Sequence, residues 1–302
     1  MGNDEWIKNY IDLLLQRRER EALELKASHY PESLYKYRIL NNYTIDCLER
    51  NSVWTPNAGD LNDPFESSLS INWIQFSRQF FERTDFAKEF KSQYNKDITD
   101  QEVATILQDP SPFECFQRIC QVKNIVSDFS NGDAQRRLLF ATYLKSIKRE
   151  IRICSFSERN DSLLMWSHYS DQHRGLCIKY VFRHQRKIEN FLEPVHYTDK
   201  MFDITSQFNG LKQKHFALKI GSITKSLDWQ YEKEWRLTFP AGEDDQNNRY
   251  FRVPKPVGIF LGARFDDNEL SLKNKLHQVA ELLEIPIYKM KIHDSEYRII
   301  SM

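Results

Sequence analysis

Three short boxes hold most of the side chains that could do chemistry. The first is Lys225-Ser226-Leu227-Asp228-Trp229-Gln230-Tyr231-Glu232-Lys233-Glu234-Trp235-Arg236-Leu237. Tyr231 to Phe239 alternates, which predicts a strand with Glu232, Glu234 and Arg236 on one face and Tyr231, Lys233, Trp235 and Leu237 on the other. Two carboxylates and a guanidinium on one face form a solvated edge if exposed. If buried, they need partners, and their pKa values move. The second box runs from Cys154 to Tyr180 and gathers hydroxyls (Ser155, Ser157), aromatics (Trp166, Tyr169) and an imidazole (His168), the groups that line small-molecule pockets. Taken singly, the same aromatics read as core, and His168 and His173 as structural imidazoles. The third box is Asn62-Asp63-Pro64-Phe65-Glu66. Its residues are turn formers, and Asp63 or Glu66 is placed to cap a following helix; functionally they would set an amide and carboxylates at the lip of a pocket.

The elements that must position these boxes follow from periodicity. Residues 4 to 27 carry Trp6, Ile7, Tyr10, Ile11, Leu14 and Leu15 at helical spacing, which predicts an N-terminal helix or arm over 1–30. It either docks on the main domain or serves as a partner-binding arm. Ser33–Leu40 reads as a strand, Asn41–Arg50 as a short helix and Ser52–Thr55 as a strand. A helical insertion at about 67–149 is expected, with helices at Trp73–Phe90, Asp100–Gln108, Pro112–Val126 and Asp133–Arg149. Strands are predicted at Ile151–Phe156 and Leu176–Tyr180, joined through a polar bend, a packed aromatic knot at 165–169 and a turn. A strand at Pro194–Tyr197, a helix around Ile204–Leu218 and a mobile loop over Ala241–Asn248 follow. A strand at Val257–Leu261, a helix at Asn268–Glu284 and closing strands at Pro286–Lys291 and Tyr297–Ser301 complete the chain. The pattern predicts an α+β domain over 31–302, with a mixed, partly antiparallel sheet. Trp54, Trp229 and Trp235 read as core.

Composition narrows the partners. Lys+Arg and Asp+Glu both number 43, so there is no bulk electrostatic signal for nucleic acid or an anionic membrane. The 5 Cys form no CxxC pair, which speaks against a zinc site or a disulfide framework and fits a reducing, cytoplasmic setting. No metal is expected. The N-terminus lacks a secretory pattern, and no apolar run approaches the roughly 20 residues a membrane helix needs.

Taken together, Tyr35-Lys36-Tyr37-Arg38, Leu61-Asn62-Asp63-Pro64-Phe65-Glu66, Ser155-Phe156-Ser157-Glu158 with Leu164–Tyr169, and Trp229–Arg236 resemble a bacterial family known as domain of unknown function 2971. The likeness spans about residues 33–240 and implies no chemistry. A second resemblance does. ADP-ribosyltransferases of the arginine, serine, glutamate type carry an Arg on an early strand, a Ser-x-Ser strand and a later Glu-x-Glu. Here Arg38, Ser155-Phe156-Ser157 and Glu232-Lys233-Glu234 stand in that order, although Phe156 replaces the usual Thr and the Arg-to-Ser separation is long.

That resemblance implies an NAD-consuming effector, of toxin or anti-phage defence type, acting on a macromolecular acceptor. Arg38, or alternatively Arg152, would hold the NAD pyrophosphate. Ser155 and Ser157 would support the nicotinamide site, and Trp166, His168 or Tyr169 would stack on the ring. Glu234 would stabilise the oxocarbenium-like state, and Glu232 would orient or deprotonate the acceptor. Asn62, Asp63, Glu66 and Arg236 are further pocket candidates. Two other readings compete. One is a non-catalytic nucleotide or protein sensor, in which the carboxylates pair with Arg236 or Lys225. The other is a metal-dependent nuclease or hydrolase using Asp63, Glu66, Glu232, Glu234 and His168.

Overall fold

A computed structural model describes residues 5–125, 132–183, 185–205, 214–241 and 249–301. In chain order it opens with α1 (Glu5–Leu15), α2 (Glu19–Ser28), β1 (Leu34–Arg38), α3 (Asn42–Glu49), β2 (Ser52–Trp54) and β3 (Leu69–Ser70). Helices α4 (Trp73–Phe81), α5 (Phe86–Tyr94), α6 (Asp100–Gln108), α7 (Pro112–Val122) and α8 (Gly132–Glu150) follow. Next come β4 (Ile151–Ser157), α9 (Leu163–Tyr169), β5 (Leu176–Tyr180), α10 (Arg186–Glu189), β6 (Leu192–Pro194), β7 (His196–Thr198) and β8 (Phe202–Asp203). The last part holds α11 (Lys214–Ser222), β9 (Thr224–Ser226), β10 (Glu234–Pro240), β11 (Tyr250–Arg252), β12 (Gly258–Leu261), α12 (Leu270–Leu282), β13 (Ile287–Ile292) and β14 (Ile299–Ser301). The fold class is α+β.

The chain divides into two compact units. One comprises Met1–Ser67, Lys148–Lys200 and Lys219–Met302, and holds an eight-stranded sheet in the order β14-β13-β12-β5-β1-β4-β10-β6. The sheet is mixed: β12 and β13 run parallel, and the other neighbours are antiparallel. One face carries Leu34, Phe156, Leu176, Ile178, Tyr180, Trp235, Leu237, Ile259 and Leu261. With Ile45 and Leu48 of α3 and Leu276 and Val279 of α12 they form the main core. The residues between them in each strand point to the other face, as strand alternation requires.

The second unit comprises Ser68–Ile147 and Met201–Leu218. It is held by an aromatic core in which Phe81, Phe86, Phe90, Phe113 and Phe116 meet, with Ile98 and Ile106. Its α6 starts at a capping box: Thr99 and Glu102 satisfy each other's backbone N–H groups.

Several expected elements are resized. The N-terminal helix is two helices, broken where Arg17 takes φ 61. It is docked in the first unit: Trp6 packs against Trp235 at 6.0 Å, and the Tyr10 hydroxyl donates to Glu193. The predicted helix at Trp73–Phe90 is α4 and α5, and the aromatic knot is the helix α9, started by Ser162 accepting from Met165 N. The predicted strand at Pro194–Tyr197 is split between β6, which joins the sheet, and β7, which pairs with β9. The central part of the expected helix around Ile204–Leu218, at 206–213, lies outside the described residues, as does 242–248 of the expected loop. No described helix is long and apolar enough to cross a membrane.

Candidate functional site

The sheet opens between β1 and β4. These neighbours pair at one position, Tyr35 with Ser157, and then part. The first half of β4 is met instead by the segment after β2: Ile153 N donates to Pro56 O, and Asn57 bridges to Arg152. Gly175 lets the turn before β5 close on the end of β1, since a Cβ there would stand 2.2 Å from the Arg38 carbonyl oxygen. The gap left by the parted strands belongs to a cavity of about 370 Å³, within the size range of small-molecule sites. Arg38, Ser155, Ser157, His168, Tyr169, Glu232, Glu234, Arg236, Asn62 and Glu66 all line it. They reach it from both sides of the sheet. By alternation Lys36 and Arg38 share the face of Leu34, while the paired register of β4 and β10 puts Ser155, Ser157, Glu234 and Arg236 on the opposite face.

At the acidic end the charges are bound into one network. Arg236, fully buried, donates two hydrogen bonds to Glu66 at 2.6 and 2.8 Å and two to Glu234 at 3.0 and 3.1 Å. A further donor bonds Ser222 O at 2.6 Å. Lys225 Nζ bridges the two glutamates, at 2.5 Å from Glu232 Oε2 and 3.1 Å from Glu234 Oε2. It also lies 4.8 Å from the Trp229 ring centre. The Tyr169 hydroxyl donates to Glu232 Oε1 at 2.7 Å, and Asn62 Nδ2 reaches that hydroxyl at 3.5 Å. A continuous polar chain therefore runs from exposed Asn62 to the buried guanidinium.

The electrostatics of the two glutamates differ. Burial opposes ionisation of both. At Glu234 the Arg236 and Lys225 charges, with a Ser155 hydrogen bond, outweigh it and hold the carboxyl down at about 2. At Glu232 burial and the neighbouring Glu234 charge prevail over Lys225, and its pKa is raised. A depressed carboxylate adds stability above its ordinary value, 4.5, and loses it as pH falls toward about 2; Glu232, shifted upward, works in the opposite sense. Acid titration followed by near-ultraviolet circular dichroism is expected to show Glu234→Gln less acid-sensitive between those two pH values than wild type. Equal acid sensitivity would contradict the pairing.

Each expected residue finds a definite place. Glu232, expected within the strand, lies outside it: it ends a 3₁₀ turn, and Lys233, at φ 43, breaks the alternation before β10 begins at Glu234. Lys225 nonetheless brings its carboxylate beside that of Glu234. Ser155 faces Glu234, whereas Ser157 is structural as well as lining: its buried hydroxyl donates to Glu232 O and accepts from Arg159 N. Glu66 caps no helix; it neutralises Arg236. Asp63 is a turn residue, accepting from Phe65 N at 2.8 Å, and is not in the lining. Trp166 is core and corrects the stacking expectation: it is wholly buried, edge-on to Tyr37, and donates to Asn160 O. His168 is exposed and meets the Tyr231 hydroxyl at 3.1 Å through Nδ1. Arg152 is buried over the Phe239 ring, outside the lining, so it does not replace Arg38 there. Arg38 itself makes no side-chain hydrogen bond or ion pair among the described residues.

Lys36 and Trp54 are lining residues that sequence reasoning left out of the site, and Lys225 entered it only as a pairing partner for the carboxylates. Lys36 sits in the Tyr35–Arg38 box and Lys225 at the head of the stretch from Lys225 to Leu237, so the boxes themselves held the signal. Trp54 had none, because a tryptophan in a three-residue strand reads as core. Among the described residues no group of three or more His, Cys, Asp or Glu gathers to hold a metal ion, since Lys225 and Arg236 stand between the glutamates.

Residues 165–237 match the model of a family described as "Protein of unknown function (DUF2971)". No curated protein and no solved structure matches the chain, so the ADP-ribosyltransferase likeness has no support from these comparisons. The chain thus resembles the DUF2971 family over the segment from α9 to β10 that supplies His168, Tyr169, Lys225, Glu232, Glu234 and Arg236.

Proposed function

We propose that the cavity binds NAD and that the protein transfers its ADP-ribose group to a macromolecular acceptor. One observation carries this reading: Arg38, Ser155 and Glu234 come from three adjacent strands, β1, β4 and β10, and line one cavity where the sheet parts. The unpartnered Arg38 guanidinium offers a bidentate fork to the pyrophosphate. As the bond between nicotinamide and ribose breaks, the electron pair leaves with nicotinamide, and positive charge develops on the ribose. Glu234, held ionised, stabilises that charge, and Ser155 fixes its carboxylate. The acceptor nucleophile then bonds to the ribose carbon and gives up its proton. Glu232, whose basicity is raised, is the nearby group suited to take it. A macromolecular partner would meet the charged outer side of α1 and α2, where Arg18 pairs with Glu21 and Arg20 with Glu24, because the inner side is spent on the unit's own core.

A second reading, a nucleotide sensor without catalysis, is favoured by the pairing of both glutamates with Lys225 and Arg236. Titration calorimetry with NAD separates the readings when run beside an assay of free nicotinamide. Arg38→Gln is expected to weaken NAD binding by about 10-fold or more, the worth of a charge-assisted contact, while leaving the melting temperature unchanged because no protein partner is lost. Binding without nicotinamide release would favour the sensor, and the absence of NAD binding would contradict the transferase reading.

A further inference from the structure

The cavity has a third kind of wall, which neither the acidic network nor Arg38 explains. Trp54 and Ile39 line it and are 37% and 50% exposed. Pro56 and Leu61 also line the cavity. Ile39 directly follows Arg38, so the apolar wall adjoins the unpartnered guanidinium in the chain.

The indole is held in place. Trp54 closes β2, which pairs with β11 at Tyr250. Tyr250 meets the indole edge-on at 5.2 Å, and the Arg249 guanidinium lies 5.7 Å from the ring centre. Arg249 is itself tethered to Asp60 at 2.9 Å. An aromatic ring fixed at its edge, carrying a cation over the ring and exposed at a cavity wall, is a stacking platform. Leaving it in water costs apolar burial that a flat ligand would recover.

We infer that Trp54 is the base-stacking platform of a nucleotide subsite whose phosphate is taken by Arg38, with Ile39 adding apolar surface to the same cavity. The inference rests on the nucleotide reading of the cavity and deepens it: the ligand must carry a planar base as well as a phosphate. It does not require that the ligand be cleaved. Glu234 lies on β10 and Glu232 in the turn before it, whereas Trp54 closes β2, so the base and the reacting ribose would meet different elements lining the same cavity.

The test uses the full chain and three probes: ADP-ribose, AMP and ribose 5-phosphate, measured by titration calorimetry against wild type, Trp54→Ala and Trp54→Phe. Stacking of a base on an aromatic side chain predicts that Trp54→Ala weakens AMP and ADP-ribose by about 10-fold or more, that Trp54→Phe restores most of the loss, and that ribose 5-phosphate is unaffected. Circular dichroism melts of the variants show whether the fold is kept; Trp54→Phe, which preserves an aromatic in β2, keeps the test valid if the alanine variant melts early. Equal loss for all three probes, equal binding of AMP by wild type and a folded Trp54→Ala, or no binding of AMP and ADP-ribose by wild type would each overturn the inference. Nicotinamide release is a separate readout: base-dependent binding without any release would leave this subsite standing and contradict the transferase reading.

Discussion

Arg236→Met is expected to cost about 3–5 kcal/mol of stability, because it strips a buried ion cluster of its central cation. The guanidinium holds Glu66 through two hydrogen bonds and Glu234 through two more, and all three are buried. Glu234 would keep Lys225, but Glu66 would keep only the hydroxyl of Ser67 and the field of the Lys148 charge, with no paired counter-charge. A buried carboxylate left without its counter-charge either protonates or draws in water, and both disturb the strands around it. For a unit of this size the loss corresponds to a fall in melting midpoint on the order of 10 °C. Arg236→Lys should recover little, since an ammonium cannot serve two carboxylates with paired, planar hydrogen bonds. Adding Glu66→Leu to Arg236→Met should cost less than the sum of the two single changes, the mark of residues in one network. Melting curves of the four variants check this, and a fall of about 1 °C or less for Arg236→Met would show that the cluster does not stabilise the fold.

Much of this arrangement was legible in the sequence, and the part that was not has physical causes. Strand-forming residue types between turn signals placed the sheet strands, whereas their burial is two-sided: Leu34 and Tyr37 of β1 are buried on opposite faces, and in β5 Cys177 is buried on the face opposite Leu176 and Ile178. The boxes named almost every polar residue of the cavity, since buried charges must be matched and their partners lie in the same few segments. Alternation failed at Glu232, because a lysine in the left-handed region is invisible in a pattern of side-chain types. Trp166 misled because an aromatic beside hydroxyls looks the same in sequence whether it faces a ligand or the core. The parting of β1 from β4 could not be read at all. It depends on which segment pairs with the first half of β4, a long-range choice that puts Pro56 and Asn57 where β1 might have continued. That parting also explains how Arg38 and Glu234, on opposite faces of one sheet, come to share a cavity.

The second large effect concerns Glu234. Glutamine at this position keeps the shape of the side chain and an oxygen for Ser155, Arg236 or Lys225, but it removes the negative charge that a developing oxocarbenium ion needs. Loss of one such electrostatic contact typically lowers turnover by about 100-fold or more. Because Glu234 also belongs to the ion cluster, the variant must be compared below its melting transition, and Ser155→Ala supplies a milder companion: it loosens the carboxylate without removing the charge and should reduce turnover less.

Free nicotinamide, followed during incubation of the purified protein with NAD, tests the central claim most directly. The account predicts release by wild type and a rate at least about 100-fold lower from folded Glu234→Gln, with NAD binding retained. Equal release from both proteins would remove Glu234 from the reaction. A wild type that neither releases nicotinamide nor binds NAD would contradict the assignment of this cavity to NAD.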